Sequence, residues 1–255
     1  MENQHTMSRY KFQEDEVPYA ILEEFGLTQE MIEDLPTDVY HDILNGRLSP
    51  VLPISLTDKE GGTVSARARF KLVRDAAENA DVIFHPRLVR TELDRYSPKE
   101  QEALRSGKAI ISHAPDDPST RCFVQIDTGT NQVIYVPTPV IGKNISHLMD
   151  IFELSSGEIQ SIQNGDVVCI NDEDEDVAIG IDLTEKSGIR LVLGTREKWL
   201  KEKGESTMGR YSFGIYGCWV KDSEGNLGYV HEQDYTDEIW VEQQKAIARN
   251  SGLKR

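Results

Sequence analysis

The residues best suited to chemistry in this chain are carboxylates. Asn171-Asp-Glu-Asp-Glu-Asp176 places five of them in six positions, and closely spaced oxygen ligands of this kind suggest a calcium loop. Counted from Asp172, such a loop wants glycine sixth and glutamate twelfth, where this chain carries Val177 and Leu183. The run is therefore expected to be a hydrated connection between two strands, with divalent-ion binding by Asp172 to Asp176 as the alternative. Asp127 and Asp182 form the second candidate, because they end the matching segments Phe123-Val-Gln-Ile-Asp127 and Ala178-Ile-Gly-Ile-Asp182. An enzymatic role would require them to converge in a pocket. A structural role at a strand-to-turn junction, accepting backbone N–H bonds, explains their equivalence more simply.

Nitrogen and sulfur ligands point nowhere in particular. His41, His85, His113, His147 and His231 are scattered, with no HxH, HxxxH or HExxH spacing to bring two imidazoles to one metal. Cys122, Cys169 and Cys218 form no CxxC pair and are odd in number, which suits a reducing cytoplasm better than a disulfide framework. There is no GxSxG, no GxxxxGK[ST] and no glycine-rich phosphate loop after a strand. A triad assembled across the fold stays open, since its members need not be neighbours in sequence. The expectation is a non-enzymatic protein with no catalytic residue, no metal site and no cofactor.

Aromatic side chains are dense near the end of the chain. In Tyr211 to Val220, period-two alternation puts Tyr211, Phe213, Ile215 and Trp219 on one strand face and Tyr216 on the other, with Tyr229, Tyr235 and Trp240 close behind. The patterning predicts a small core that closes the molecule. The alternative is a protein-binding face made of Tyr211, Phe213, Tyr216, Trp219, Tyr229 and Trp240, because exposed Tyr and Trp supply much of the binding energy of interfaces.

These residues sit in a pattern that repeats. One unit reads Ser97-x-x-Glu100, Gly107, Ala109-Ile-Ile111, Cys122 to Asp127 and Gln132 to Pro137. The next reads Ser155-x-x-Glu158, Gly165, Val167 to Ile170, Ala178 to Leu183 and Gly188 to Leu193. Serine with glutamate three residues on satisfies the first free N–H groups of a helix. The glycine turns the chain out of that helix, and the β-branched runs read as strands. A looser first copy opens a helix at Leu27 to Glu30, closes one at Ile43 to Gly46, and continues with Val51 to Ile54, Ala66 to Leu72 and Asp81 to Phe84. Pro36 is expected to split its helical part.

The predicted fold class is α+β: about three units of short helix plus antiparallel meander, then a hairpin turning at Asp222 to Asn226 and a last helix from about Glu232 to Asn250. The expected organisation is a disordered segment over 1–10, units over 11–95, 96–139 and 140–194, and a C-terminal hairpin and helix over 195–255. Pro137 to Pro139 marks the break between the second and third units.

Composition limits the partners. In 255 residues, 28 Lys and Arg stand against 44 Asp and Glu, a net charge of −16 that repels polyanions and argues against direct nucleic-acid binding. Residues 241–255 run against this trend, with four basic residues and one acidic, leaving −19 on residues 1–240. Basic residues at the end of a helix suit its dipole. No stretch approaches the apolar length of a membrane span, and the N-terminus has no apolar core of a signal peptide. A cytoplasmic protein without membrane contact is expected.

Several phrases resemble an uncharacterised protein family encoded on conjugative transposons of Bacteroides-type bacteria. They are Leu35-Pro-Thr-Asp-Val-Tyr-His-Asp-Ile-Leu-Asn-Gly46 with Ser49-Pro-Val-Leu-Pro-Ile54, Phe123 to Asp127 with Tyr135-Val-Pro-Thr-Pro139, and Tyr216-Gly-Cys-Trp-Val220. The likeness spans roughly Lys11 to Gln243, and Ser97-x-x-Glu100 to Gly107 is similar to a short repeat in other mobile-element proteins of those bacteria. It implies a domain of unknown function and a setting in DNA transfer, with no residue roles to carry over. The expected function is an interaction or adaptor protein with a protein partner. The alternatives are an acidic DNA-mimic decoy acting against a host restriction or defence protein, and an unrecognised enzyme.

Overall fold

The structure, a computed structural model, describes residues 10–57, 61–172, 175–202 and 208–252. The segment expected to be disordered lies, up to residue 9, outside them. The chain opens with helices α1 (Tyr19–Glu24), α2 (Gln29–Glu33) and α3 (Thr37–Leu44), then strands β1 (Leu52–Thr57), β2 (Thr63–Arg74) and β3 (Ala80–Pro86). Next come α4 (Pro98–Arg105) and β4 (Ile110–His113), β5 (Arg121–Asp127) and β6 (Gln132–Pro137). Helices α5 (Thr138–Phe152) and α6 (Ser156–Gln163) precede β7 (Val168–Asp172), β8 (Glu175–Ile181), β9 (Ile189–Leu193) and α7 (Arg196–Glu202). The chain closes with β10 (Tyr211–Phe213), β11 (Gly217–Lys221), β12 (Leu227–His231) and α8 (Asp237–Gly252). Each group of three strands is one antiparallel sheet in sequence order. The fold is thus α+β, with three helix-plus-meander repeats before a last sheet and helix.

Local chemistry explains the repeat. Ser97 Oγ accepts from the Glu100 N–H at 3.4 Å while the Glu100 carboxylate accepts from the Ser97 N–H at 2.9 Å. Ser155 and Glu158 do the same at 3.3 and 2.7 Å. Bonding to the serine hydroxyl, then to its backbone N–H, holds both glutamates below the usual carboxylate range. Gly107 (φ 82°) and Gly165 (φ 80°) end these helices in the left-handed region that glycine adopts at little cost. Pro36 separates α2 from α3, as its missing N–H requires.

Three elements differ from the expectation. Past Pro137, where the second sheet ends, the chain forms α5, a 15-residue helix that the repeat pattern does not include. Proline is favoured in a first turn, and Ile141, Ile145 and Leu148 give the helix a buried stripe. The final hairpin is a three-stranded sheet, because Gly214-Ile-Tyr216 turns and splits the expected strand into β10 and β11. The last helix begins at Asp237, after a short 3-10 turn at Glu232–Asp234, where the Thr236 hydroxyl accepts from the Ile239 N–H at 3.4 Å.

The described residues form two compact units, 10–87 with 208–252, and 88–202. In the first, Leu22, Ile32, Ile43 and Leu44 from the helices pack with Leu52, Phe70 and Leu72 of the first sheet and with Trp219 and Leu227 of the last. In the second, alternation along β5 serves two cores. Cys122, Val124 and Ile126 pack with Leu104 and Tyr96 on the α4 side, and Phe123 joins Ile141, Ile145, Ile162 and Ile179 on the other. Gln125, also on β5 and buried, bridges the two repeats. Its Nε2 donates to the Gly107 and Ile181 carbonyls at 2.9 and 3.0 Å, and its Oε1 accepts from the Leu183 N–H at 2.9 Å. Lys108 and Asp166 form an ion pair at 2.8 Å beside it.

Candidate interaction surface

The last sheet is held by a residue that sequence patterning gave no reason to single out. Asp34 follows α2 and is 2% exposed. Its Oδ1 accepts from the Ile215 N–H at 2.6 Å, and its Oδ2 accepts from the Tyr216 N–H at 3.0 Å and from the Tyr229 hydroxyl at 2.5 Å. A buried carboxylate needs such donors. Gly214 makes the approach possible, since a Cβ there would lie 2.1 Å from Asp34 Cγ. Burial, and then the bond to Asp34, push the Tyr229 phenol well above its ordinary value.

This anchoring sorts the aromatic candidates. Trp219 is fully buried, its Nε1 donating to the Met31 carbonyl at 2.9 Å. It is a core residue and is removed from the binding face considered above. Tyr229 stacks edge-on against Trp219 with ring centroids 5.2 Å apart, and with its hydroxyl on Asp34 it belongs to the same structural cluster. The alternation expected along Tyr211 to Trp219 fails at the turn, where Ile215 is 80% and Tyr216 40% exposed.

The other rings form a file on the surface. Tyr211 and Phe213 stack at 6.1 Å, Phe213 meets Tyr235 at 6.2 Å, and Tyr235 meets Trp240 of α8 at 5.1 Å. The Tyr211 hydroxyl donates to the Glu238 carboxylate at 2.8 Å, and Arg210 pairs with the same carboxylate at 3.0 Å. Helix α8 seats Ile239 against the unit and turns its opposite face outward. On that face Trp240, Val241 and Ile247 are 40%, 53% and 54% exposed, and Trp240, Val241, Gln244, Lys245 and Ala248 line a shallow groove. Such an arrangement can bind an apolar or helical surface.

Residues 12–96 match a family described as a protein of unknown function (DUF4099). The matched stretch runs from Phe12 in the core to Tyr96 ahead of α4, so it contains Asp34 and leaves out the aromatic file. No curated protein and no solved structure matches the chain.

Asp127 and Asp182 bond within their own turns, although among the described residues Oδ2 of buried Asp182 has no hydrogen-bond partner. Asp127 is buried and accepts from the Gly129 N–H at 2.9 Å and the Thr130 hydroxyl at 2.8 Å. Asp182 is buried likewise, accepting from the Thr184 N–H and hydroxyl at 3.1 and 2.6 Å, with Arg190 at 3.6 Å. Each aspartate shapes the turn that follows its own strand. In the acidic run, Asp172 and Glu175 are paired across β7 and β8, while residues 173 and 174 lie outside the described residues. Among the described residues no group of three or more His, Cys, Asp and Glu side chains is placed to hold a metal ion, and no helix is long and apolar enough to cross a membrane.

Proposed function

We propose that the protein is a non-enzymatic interaction or adaptor protein of a mobile genetic element, working in a bacterial cytoplasm. The observation that carries this reading is the outward face of α8, where Trp240, Val241 and Ile247 stand exposed and continue the ring file of the last sheet. A lone exposed apolar residue needs no explanation, whereas a connected set containing tryptophan has the composition of interface hot spots. The likeness to proteins of conjugative transposons supplies the setting, and three free cysteines suit a reducing compartment.

The test is affinity capture of the tagged protein from its host at low and high salt, alongside the Trp240→Ala and Ile215→Ser variants. A partner retained at high salt and lost with Trp240→Ala is the expected result, because apolar contacts are insensitive to screening. A partner released by salt and indifferent to both variants would overturn the reading in favour of an electrostatic decoy.

A further inference from the structure

We propose that the outer face of the first sheet binds an extended acidic peptide segment of a protein partner, held by the row Arg67, Arg69 and Lys71 with Arg87 beside it. Its occupancy does not depend on the face of α8 described above. Side chains alternate along β2. Ala68, Phe70 and Leu72 enter the core, where Val82 and Phe84 of β3 and the first helices pack with them, so Arg67, Arg69 and Lys71 stand together on the opposite face. The ladder places Pro53 of β1 opposite Arg67, and His85 and Ile83 of β3 opposite Arg69 and Lys71. Arg87, one residue past β3 and exposed, donates its N–H to the Arg67 carbonyl at 2.7 Å, which continues the ladder and sets two cations opposite each other.

Like charges directly opposite on neighbouring strands destabilise a sheet, and an anion laid between them removes that cost. In a chain of net charge −16, these four residues gather +4 on one face and leave −20 elsewhere. Arg67 and Arg69 are oriented by neutral acceptors, the Leu227 and Ser49 carbonyls, each at 2.9 Å. A carbonyl fixes a guanidinium without neutralising it, and a guanidinium so fixed is suited to a carboxylate. Two carboxylates border the face. Asp81 lies opposite Val73, past the Lys71 end of the row, and its Oδ1 accepts from the Val82 N–H at 2.8 Å. Asp222 feels Arg67, but it accepts first from the Asn226 and Glu224 N–H groups of its own turn, at 2.8 and 2.9 Å. Cations stay in excess along the row.

Spacing selects the ligand. Alternate residues of a strand lie about 6.6–6.8 Å apart, and the same holds for an extended peptide, so carboxylates at every second position come level with Arg67, Arg69 and Lys71 in turn. Ile83, 44% exposed, stands opposite Lys71 and offers such a peptide an apolar contact. A nucleic-acid strand fits less well. No Phe, Tyr or Trp stands among these face residues to stack a base, and every phosphate beyond the row meets the acidic remainder of the chain.

Fluorescence anisotropy with the full chain is the test. The probes are a short labelled peptide alternating glutamate and threonine, a second with the same number of glutamates at every third position, and a labelled oligothymidylate. The alternating peptide should bind about tenfold tighter or more than the other peptide, and should weaken by a similar factor between about 50 and about 500 mM salt. Lys71→Glu with Arg87→Glu leaves both carbonyl-bound arginines in place and should weaken binding about tenfold or more, with the circular dichroism of the parent retained. Trp240→Ala should leave the affinity unchanged, which separates this surface from that on α8. No binding of the alternating peptide, equal affinity for the two peptides, or binding indifferent to the double charge reversal overturns the proposal. Tighter binding of the oligothymidylate, lost in the same double variant, overturns it in favour of a nucleic-acid face. If the peptide fails and Trp240→Ala still abolishes capture of a partner, the acidic-peptide face falls while the adaptor reading stands.

Discussion

Replacing Asp34 by alanine tests how the surface sheet is held. The carboxylate receives the Ile215 and Tyr216 N–H groups and the Tyr229 hydroxyl at 2.6, 3.0 and 2.5 Å. Bonds to a charged group contribute about 1.5–3 kcal/mol each, and a buried donor left without a partner costs about 1–3 kcal/mol. Ile215 is largely exposed, so water replaces part of what its N–H loses, and the expected cost of Asp34→Ala is about 3–5 kcal/mol rather than the full sum. Asp34→Asn keeps one acceptor and should cost about 1–2 kcal/mol. Urea unfolding followed by the fluorescence of Trp219, in a Trp199→Phe background to silence the other unit, measures the loss. Hydrogen exchange at Ile215 and Tyr216 locates it, with both amides exchanging about tenfold faster or more. A change below about 1 kcal/mol with unaltered exchange at those amides would refute the argument, because the bonds would then add nothing beyond what water supplies.

The bridge between the second and third repeats gives a parallel case. Gln125→Ala strands the Gly107 and Ile181 carbonyls and the Leu183 N–H, for an expected loss of about 2–4 kcal/mol in the thermal or urea unfolding of that unit; an unchanged midpoint would mean that the seam is held by apolar packing alone. Alkaline pH should also unfold the protein. Burial raises Tyr19, Tyr40, Tyr96, Tyr229 and Tyr235, and hydrogen bonding adds to the rise for Tyr19 (with Tyr40), Tyr96 (with Tyr135) and Tyr229 (donating to Asp34). A raised phenol favours the fold in its neutral form, so the stabilisation is complete below the unfolded value of about 10 and is lost as pH rises above it. Tyrosinate absorbance should therefore appear together with the loss of helical signal, and a smooth titration near pH 10 in a protein that stays folded would contradict this.

Much of the fold was legible because its signals are local. Ser97 with Glu100, Ser155 with Glu158, and the glycines that follow need only a few neighbouring residues to act, and the strands between them are β-branched runs of the right length. The failures share a cause as well. The turn at Gly214 to Tyr216 is held by Asp34, 181 residues away from Ile215, and no pattern within Tyr211 to Val220 announces it. Helix α5 carries Pro139, Val140 and Gly142 in its first turns, residues of low helix propensity. Its buried stripe of Ile141, Ile145 and Leu148 outweighs them, and that stripe was there to be counted. For the candidate surface, composition identified the aromatic cluster, and only the arrangement in space separates Trp219 and Tyr229 in the interior from Trp240 outside. Val241 and Ile247 escaped notice because an exposed apolar face and a buried one have the same spacing on a helix.

Lys108 and Asp166 occupy the same place in their two repeats, one step beyond the glycine that ends the helix, and they bond to each other. One copy is basic there and the other acidic, where two copies identical at this place and charged would set like against like, and at the next matched pair one copy uses Gln125 to reach across while the other has Gly180, where Trp199 lies against the backbone. The repeats have thereby lost their interchangeability. A recombination event that overwrote one with the other would leave the helices and sheets encoded as before, yet set like charge against like at positions 108 and 166 of the seam.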